Sequence, residues 1–450
     1  MHQGMPRRRI LLAGGAAAIG GLAAPALAQS AQIVRFLHNE TDPPSIAFFN
    51  RAIAEFERQN PGVKIEMEVI STDGRLQKVT ASMNARTMPE VFKILPEERF
   101  NFGRRGFLVQ LDDVAEQIGR ADFPATMLMP LDGKLYDLPY TIGNFSTMWY
   151  RADLLEEAGL APPRNWSEYL AAARRLTRAP DMFGTVFPAG KNRMASIYFA
   201  AALWSAGGTF FDKDLNLTFD SPAAVQALEF LKELAAASPP GISSYSYSDM
   251  INTYMTGKVA IDIYAARLVA NVAANTPALL PRTKAAPRPV GPSGVGVGFA
   301  NSNSFAIASE RVGARNIEAA KRFLAFIISG ERSVDFSLTA FPHFIPPLAS
   351  VRANARLLSG TPELAGRQDL AQASFSIADT LDFETEAGAS FAGGRMTPSG
   401  VVNPFIGSIV ARDIPALVMQ RAVLQGQAPA EAVKWGAAEM QRVLADLRRR

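Results

Sequence analysis

Site chemistry draws on nucleophiles, metal ligands, paired acids and bases, or polar groups set out for recognition, and this sequence supplies them unevenly. It contains no cysteine. That excludes disulfides, thiolate metal sites, iron–sulfur ligation, a cysteine nucleophile and a lipid-bearing cysteine together. Of its three histidines, His2 stands at the extreme N-terminus, which leaves His38 and His343 as too few for a multi-histidine metal site. Gly294-Val295-Gly296-Val297-Gly298 is the only glycine pattern suggestive of a nucleotide, but it follows a proline-rich loop and opens no helix. Acids are numerous enough that a pair flanking a glycosidic bond is not forbidden, yet no motif nominates one. The expectation is a protein without catalytic residues, metal or cofactor.

What remains suits the holding of a guest. A dry site must satisfy every polar group it buries, and a hydroxyl-rich ring also offers flat C–H faces, so aromatics, amides, acids and arginines near loop tips are the residues to weigh. His38-Asn39-Glu40-Thr41 follow the first apolar strand, where an α/β sheet places its crevice; the same residues would also cap the next helix. Asp73 and Glu97 follow later strands in the same way. Tyr140 and Asn144 lie in Leu138-Pro139-Tyr140-Thr141-Ile142-Gly143-Asn144, a polar, glycine-bearing stretch that reads as the first hinge, so each is a contact or a spacer. Trp149 sits in an apolar run and reads as core. Tyr198 and Trp204 share a helix leading to Gly207-Gly208, at a spacing that fits core as well as a binding platform. The two glycines permit a tight turn, with close backbone approach to a guest a second possibility. His343, between Phe341-Pro342 and Pro346-Pro347, lines a rim or packs.

These residues need a scaffold, and hydrophobic periodicity supplies one. Residues 32–37 read as a strand, Ile46, Phe49, Ile53 and Phe56 as one face of a helix, and Val63 to Val69 as an alternating strand. A helix carrying Leu76, Val79 and Met83 and a strand from Val91 to Leu95 follow, a β-α-β-α-β order that predicts a parallel sheet with crossover helices. Asn165-Trp166-Ser167-Glu168 has the form of a capping box, and Asp220-Ser221-Pro222 opens a helix burying Val225, Leu228, Leu231 and Leu234. Ser304 to Ala308 reads as a strand feeding a helix with Ile317, Ala320, Phe323 and Ile327, a late return to the first domain. From Ala349 onward the chain reads as amphipathic helix.

Arg7-Arg8-Arg9, an apolar run to Ala24 and Ala26-Leu27-Ala28 form a secretory leader expected to be cut near Ala28, and the arginines before Ile10-Leu11 fit the twin-arginine type. Glycines and Pro25 interrupt the run too often for a membrane span. Removing residues 1–28 takes away three arginines and no acid, leaving 43 basic against 42 acidic side chains. A near-neutral chain lacks the footprint of a nucleic-acid binder. About 420 remaining residues exceed what one core holds, so two domains are expected. Export without a lipid anchor points to a periplasm.

The run GKLYDLPYTIGNFSTMWYRADLLEEAGLAPPRNWSEYLAAARRL, Gly133 to Leu176, resembles the extracellular solute-binding proteins of the maltose-binding type. So do LWSAGGTFFD from Leu203, FDSPAAVQALEFLKEL from Phe219, YMTGKVAIDIYAAR from Tyr254, FAIASERVGARNIEAAKRFLAFIIS from Phe305 and LQGQAPAEAV from Leu424. The resemblance implies an α/β, two-lobe periplasmic binding fold of type II, each lobe a mainly parallel sheet flanked by helices. It implies lobe 1 at residues 30–142 and 282–335 and lobe 2 at 143–281 and 336–450, with a small ligand, a sugar above all, in the cleft. Hinge closure would then present the loaded form to the membrane permease subunits of an ATP-binding-cassette importer, the receptor itself being a monomer that binds no nucleic acid. It also implies Glu97 as an acidic ligand contact, a position over the cleft floor for Tyr198 and Trp204, and a ligand-facing loop at Asn301, Ser302 and Asn303. The sequence departs from the family at Tyr264-Ala265-Ala266-Arg267, where relatives often carry an aromatic. A guanidinium at Arg267 favours a carboxylate, a phosphate or a densely hydroxylated ligand, or forms an ion pair. Competing readings are an exported cofactor enzyme, since twin-arginine leaders often carry one, a glycoside-active enzyme, a receptor for an acidic solute such as a uronate or glycerol phosphate, and a partner of a chemoreceptor.

Overall fold

The structure, a computed structural model, describes residues 31–449 apart from 71, 124–127, 129, 213, 295–296, 381, 385–402 and 404. The leader expected over residues 1–28 lies outside the described residues, as do Val295 and Gly296 of the glycine pattern.

The first strands form where the patterning predicts them: β1 (Gln32–His38), β2 (Val63–Val69) and β3 (Val91–Ile94). In β2 the alternation is physical, with Val63 and Ile65 buried and Lys64 and Glu66 exposed. β1 runs parallel to both β2 and β3, joined by the helices Pro43–Gln59 and Thr72–Ala85. The chain continues through β4 (Asp137–Asn144), β5 (Thr147–Arg151), β6 (Phe183–Val186), β7 (Val259–Tyr264), β8 (Thr283–Pro287), β9 (Val297–Ile307) and β10 (Asp382–Glu384). Among the described residues, β10-β9-β3-β1-β2 with β4 beside β9 make one sheet, and β6-β7-β5-β8 make the other. Two sheets flanked by helices give the two-lobe α/β architecture.

Three details differ from the sequence reading. The second sheet is mixed rather than mainly parallel, because β5 runs antiparallel to both β7 and β8 and only β6 and β7 run parallel. The stretch expected to be the hinge, Leu138 to Asn144, is strand β4 itself, paired along its length with β9; the chain leaves the first sheet just beyond it, at Phe145-Ser146. Finally, β8 and β10 exchange places relative to the expected segments. Residues 283–287 pair with β5 in the second sheet and residues 382–384 pair with β9 in the first.

The first half is held by rings. Phe36 packs edge-on against Phe49, Phe305 and Phe323 at 5.2–5.3 Å, and Tyr140 stacks on Phe305 at 4.1 Å. In the second half the Asn165 side chain accepts from Glu168 N at 2.9 Å and Glu168 returns a contact to Arg164 N at 2.8 Å, which starts the helix Trp166–Leu176 as its sequence requires. Trp166 then stacks on Phe230 of the helix Pro222–Ala235 at 3.9 Å. Helices Ile414–Val423 and Pro429–Arg448 pack on the helices Arg193–Ser205 and Pro222–Ala235 and close the second half. No helix of the described residues is long and apolar enough to cross a membrane.

Candidate functional site

β1 ends in a buried turn. The His38 ring lies against Phe49 and Phe36, and its Nδ1 accepts from the backbone N–H of Glu40 at 3.2 Å. Burial, the largest influence, drives its pKa down to about 4, so the ring is neutral and works as an acceptor. The turn aims the buried Glu40 carboxylate at Lys93 of β3 and Tyr140 of β4. Lys93 Nζ donates to Glu40 Oε1 at 3.1 Å and the Tyr140 hydroxyl donates to the same oxygen at 2.5 Å. Burial alone would raise the Glu40 pKa, but Lys93, Tyr140 and Arg267 outweigh it and hold the carboxyl low. Lys93 is pushed down by burial and by the neighbouring Arg75 and Arg193. Arg75 in turn pairs with Glu98 at 2.6 Å, so this floor is compensated charge by charge.

Arg267 opens the helix Arg267–Asn275 just after β7 and reaches the other half of the molecule. Its Nη1 lies 3.0 Å from Oδ2 of Asp42, the residue preceding the helix Pro43–Gln59, and its guanidinium sits 5.0 Å from the Phe344 ring. Of the two roles left open for Arg267, the ion pair is the one formed, and it joins the two halves rather than lying on a surface. His343 is buried beside it; burial first, then Arg267 and Lys93, push its pKa well below the ordinary value.

The second sheet carries its own buried polar group. Tyr198 of the helix Arg193–Ser205 stacks on Phe187, and the guanidinium of Arg288 lies 5.6 Å from its ring. Tyr169 bonds Thr185, and Asp262 of β7 lies within electrostatic reach of both phenols. Neither Asp262 oxygen meets a hydrogen-bond partner, and the Tyr198 hydroxyl, although near Tyr169, finds no partner in bonding geometry. Burial raises the Asp262 pKa well above the carboxylate range. Arg288 is 5% exposed and has no hydrogen bond or ion pair among the described residues.

The structure therefore gathers Glu40, Tyr140, Arg267 and His343 from four separate places in the chain, with Tyr198 in the second cluster. Asn39 follows β1 half-buried, and Asn303 lies in β9 opposite Thr141. The backbone places Asp73 and Glu97 in the first turns of the helices Thr72–Ala85 and Pro96–Arg104, and Asn144 and Asn301 on the paired strands β4 and β9. Others stand apart. Tyr264 is buried in the second sheet with its hydroxyl given to the Tyr247 carbonyl at 3.0 Å, and Trp149, core as read, donates its Nε1 to the Tyr264 carbonyl at 3.1 Å. Trp204 is buried one turn before Gly207 and Gly208, at the far end of a helix about 20 Å long. Gly207 holds φ +86°, and a Cβ on Gly208 would come within 2.5 Å of Leu203, so the tight turn explains both. The sequence reading missed Lys93, Asp42, Tyr247, Asp262 and Arg288. Lys93 in Val-Phe-Lys-Ile and Asp262 in Val-Ala-Ile-Asp-Ile-Tyr carried a usable signal, a charge inside an apolar strand.

Comparison with known proteins gives a consistent result. The family model for bacterial extracellular solute-binding proteins matches residues 41–331. A binding protein of Brucella abortus (strain 2308) is 31% identical over 284 residues, which span 61% of this chain and 68% of that protein. Among solved structures, maltose-bound MalE3 of T. maritima superposes with a TM-score of 0.74 at 19% identity, covering 92% of this chain and 100% of that one. An ABC transporter solute-binding protein of Agrobacterium vitis S4 with bound D-mannitol gives 0.73 at 20% identity, covering 93% and 99%.

Proposed function

Because the chain belongs to the bacterial extracellular solute-binding proteins, we propose that it is the periplasmic receptor of an ATP-binding-cassette importer, closing around a hydroxyl-rich solute of the sugar or polyol class. In this reading lobe 1 comprises residues 30–142 with β9 and the helices after it, lobe 2 comprises residues 143–287 with the C-terminal helices, and Glu40, Tyr140, His343 and Arg267 line the seam. Asn39, Asp73, Glu97, Asn144, Asn301 and Asn303 stand near strand ends on the lobe 1 side and are candidate contacts. The maltose and mannitol complexes of proteins with this fold support a polyhydroxylated ligand. The leader is cut near Ala28, no lipid is attached, the receptor is a monomer, and permease subunits take the closed form.

The observation that carries this reading is the Arg267–Asp42 ion pair, a charged contact between the two halves beside the strand crossings and the packing of the helix Arg193–Ser205 on β9. The test is small-angle scattering with a panel of sugars and polyols, paired with native mass spectrometry. A ligand that compacts the protein and is recovered unchanged is the expected result. At 100 times its dissociation constant such a ligand adds about 2.7 kcal/mol to stability, which thermal unfolding reads directly. Turnover of a compound without compaction would overturn it.

A further inference from the structure

We infer that the polar cluster of the second sheet is an anion subsite, in which Arg288 and Tyr198 take the carboxylate or phosphate of an otherwise hydroxylated solute. This rests on the receptor reading and narrows its ligand class to polyols and sugars that carry one negative group.

The backbone holds Arg288 firmly. Pro287 and Pro289 flank it, Val290 N donates to the Arg164 carbonyl at 2.9 Å, Trp166 N donates to the Val290 carbonyl at 3.1 Å, and Gly291 N donates to Ser205 Oγ at 2.8 Å. Gly291 is required there, since a Cβ would stand 2.3 Å from the Ser205 carbonyl. The residue thus sits rigidly where the chain leaves the second sheet for β9. The helix that presents Tyr198 packs against β9, and its first residue, Arg193, is close enough to act on Lys93 of the first sheet, which puts the helix start at the seam about one and a half turns from Tyr198.

A buried guanidinium with no counter-ion is costly, and no acid among the described residues pairs with this one. Burial raises the pKa of Asp262, near the same phenols, and of Tyr169 and Tyr198 alike, so none of the three favours the charged form that would pair with a guanidinium. The other cations around the seam differ: Lys93 has Glu40, Arg75 has Glu98 and Arg267 has Asp42. A guest would supply the charge balance that the described residues do not give Arg288. A planar fork of donors matches a carboxylate or a phosphate oxygen pair, with the Tyr198 hydroxyl as a further donor.

The experiment is calorimetry with D-glucuronate, D-galacturonate and sn-glycerol 3-phosphate against glucose, galactose and glycerol. The expected result is tighter binding of at least one acid than of its neutral parent, with Arg288→Met reducing the acid's affinity about 10- to 100-fold and sparing the parent. Arg288→Lys should restore part of the loss, and Tyr198→Phe should cost about fivefold. The two arms separate a uronate from a phosphate ester. Equal binding of acid by Arg288→Met, or a preference for the neutral parents, overturns the inference and leaves the receptor reading standing. If no compound binds and scattering never changes, both fail. Removing an unpaired buried cation should leave the melting temperature unchanged or raised; if Arg288→Met nevertheless fails to fold, Arg288→Lys and Tyr198→Phe decide the matter.

Discussion

Two buried polar clusters occupy comparable positions, one against each sheet, and they are built on opposite terms. Around Glu40 every charge has its partner: Lys93 and Tyr140 converge on one carboxylate oxygen, and Arg75 is paired with Glu98. Around Arg288 the partners are missing among the described residues, with an uncompensated guanidinium, an acid of raised pKa whose oxygens meet no donor, and a phenol with no partner in bonding geometry. Interior polar groups are kept when they are satisfied. The charge-paired cluster therefore reads as architecture that fixes the lobe 1 wall, with only His38 Nε2 and His343 Nδ1 beside it left without a hydrogen-bond partner among the described residues, and the uncompensated guanidinium as a place completed from outside.

The comparison is open to direct attack. Lys93→Met strands the Glu40 carboxylate and should cost about 3–5 kcal/mol in denaturant unfolding. The double variant Lys93→Met with Glu40→Gln should recover much of that loss. An additive double variant would mean the pair is not coupled. Acid attacks the same cluster through His38. Its folded pKa lies near 4 against about 6.5 unfolded, so the native state binds fewer protons in that window and stability falls as pH drops through it, by up to about 3 kcal/mol. In His38→Gln, which keeps an acceptor for Glu40 N, the slope over that window should flatten.

The second cluster should answer in the other direction. Asp262 is raised, so its contribution is fully present below about pH 4 and is lost as pH climbs. Asp262→Asn should therefore remove a fall in stability that starts near pH 4 and continues until the pH passes the folded pKa, while changing little below pH 4. The smallest expected effect is at the link between halves. Asp42 is 45% exposed in its side chain, so Arg267→Ala should cost about 1 kcal/mol or less in stability and show itself instead as a larger radius of gyration.

Much of the scaffold was legible because it is written in periodicity. β1 to β3, the Asn165 cap and the late return through β9 all follow from spacing of apolar residues and one capping pattern. Glu40 was legible because a strand's carboxyl end is a fixed landmark. Arg288 was not, because a proline on either side makes Pro-Arg-Pro read as loop, and only the folded chain brings it beneath Tyr198 from 90 positions earlier. Lys93 and Asp262 were missed for a different reason: each is one charge within an apolar run, and only the tertiary structure tells whether such a charge is paired. Arg267 was singled out for its chemistry, but a sequence carries no sign of Asp42 standing across the seam.

Two of the routes between the halves are neighbours. β4 pairs with β9 on one side of the gap, and their continuations β5 and β8 pair with each other on the other side. A tether made of two adjacent ribbons flexes about one axis and resists sliding and torsion, much as a strap hinge guides a door. In the proposed receptor, closure about that axis would bring Arg267 back to Asp42, and the grip on a guest would then be set by backbone geometry rather than by a search among many arrangements.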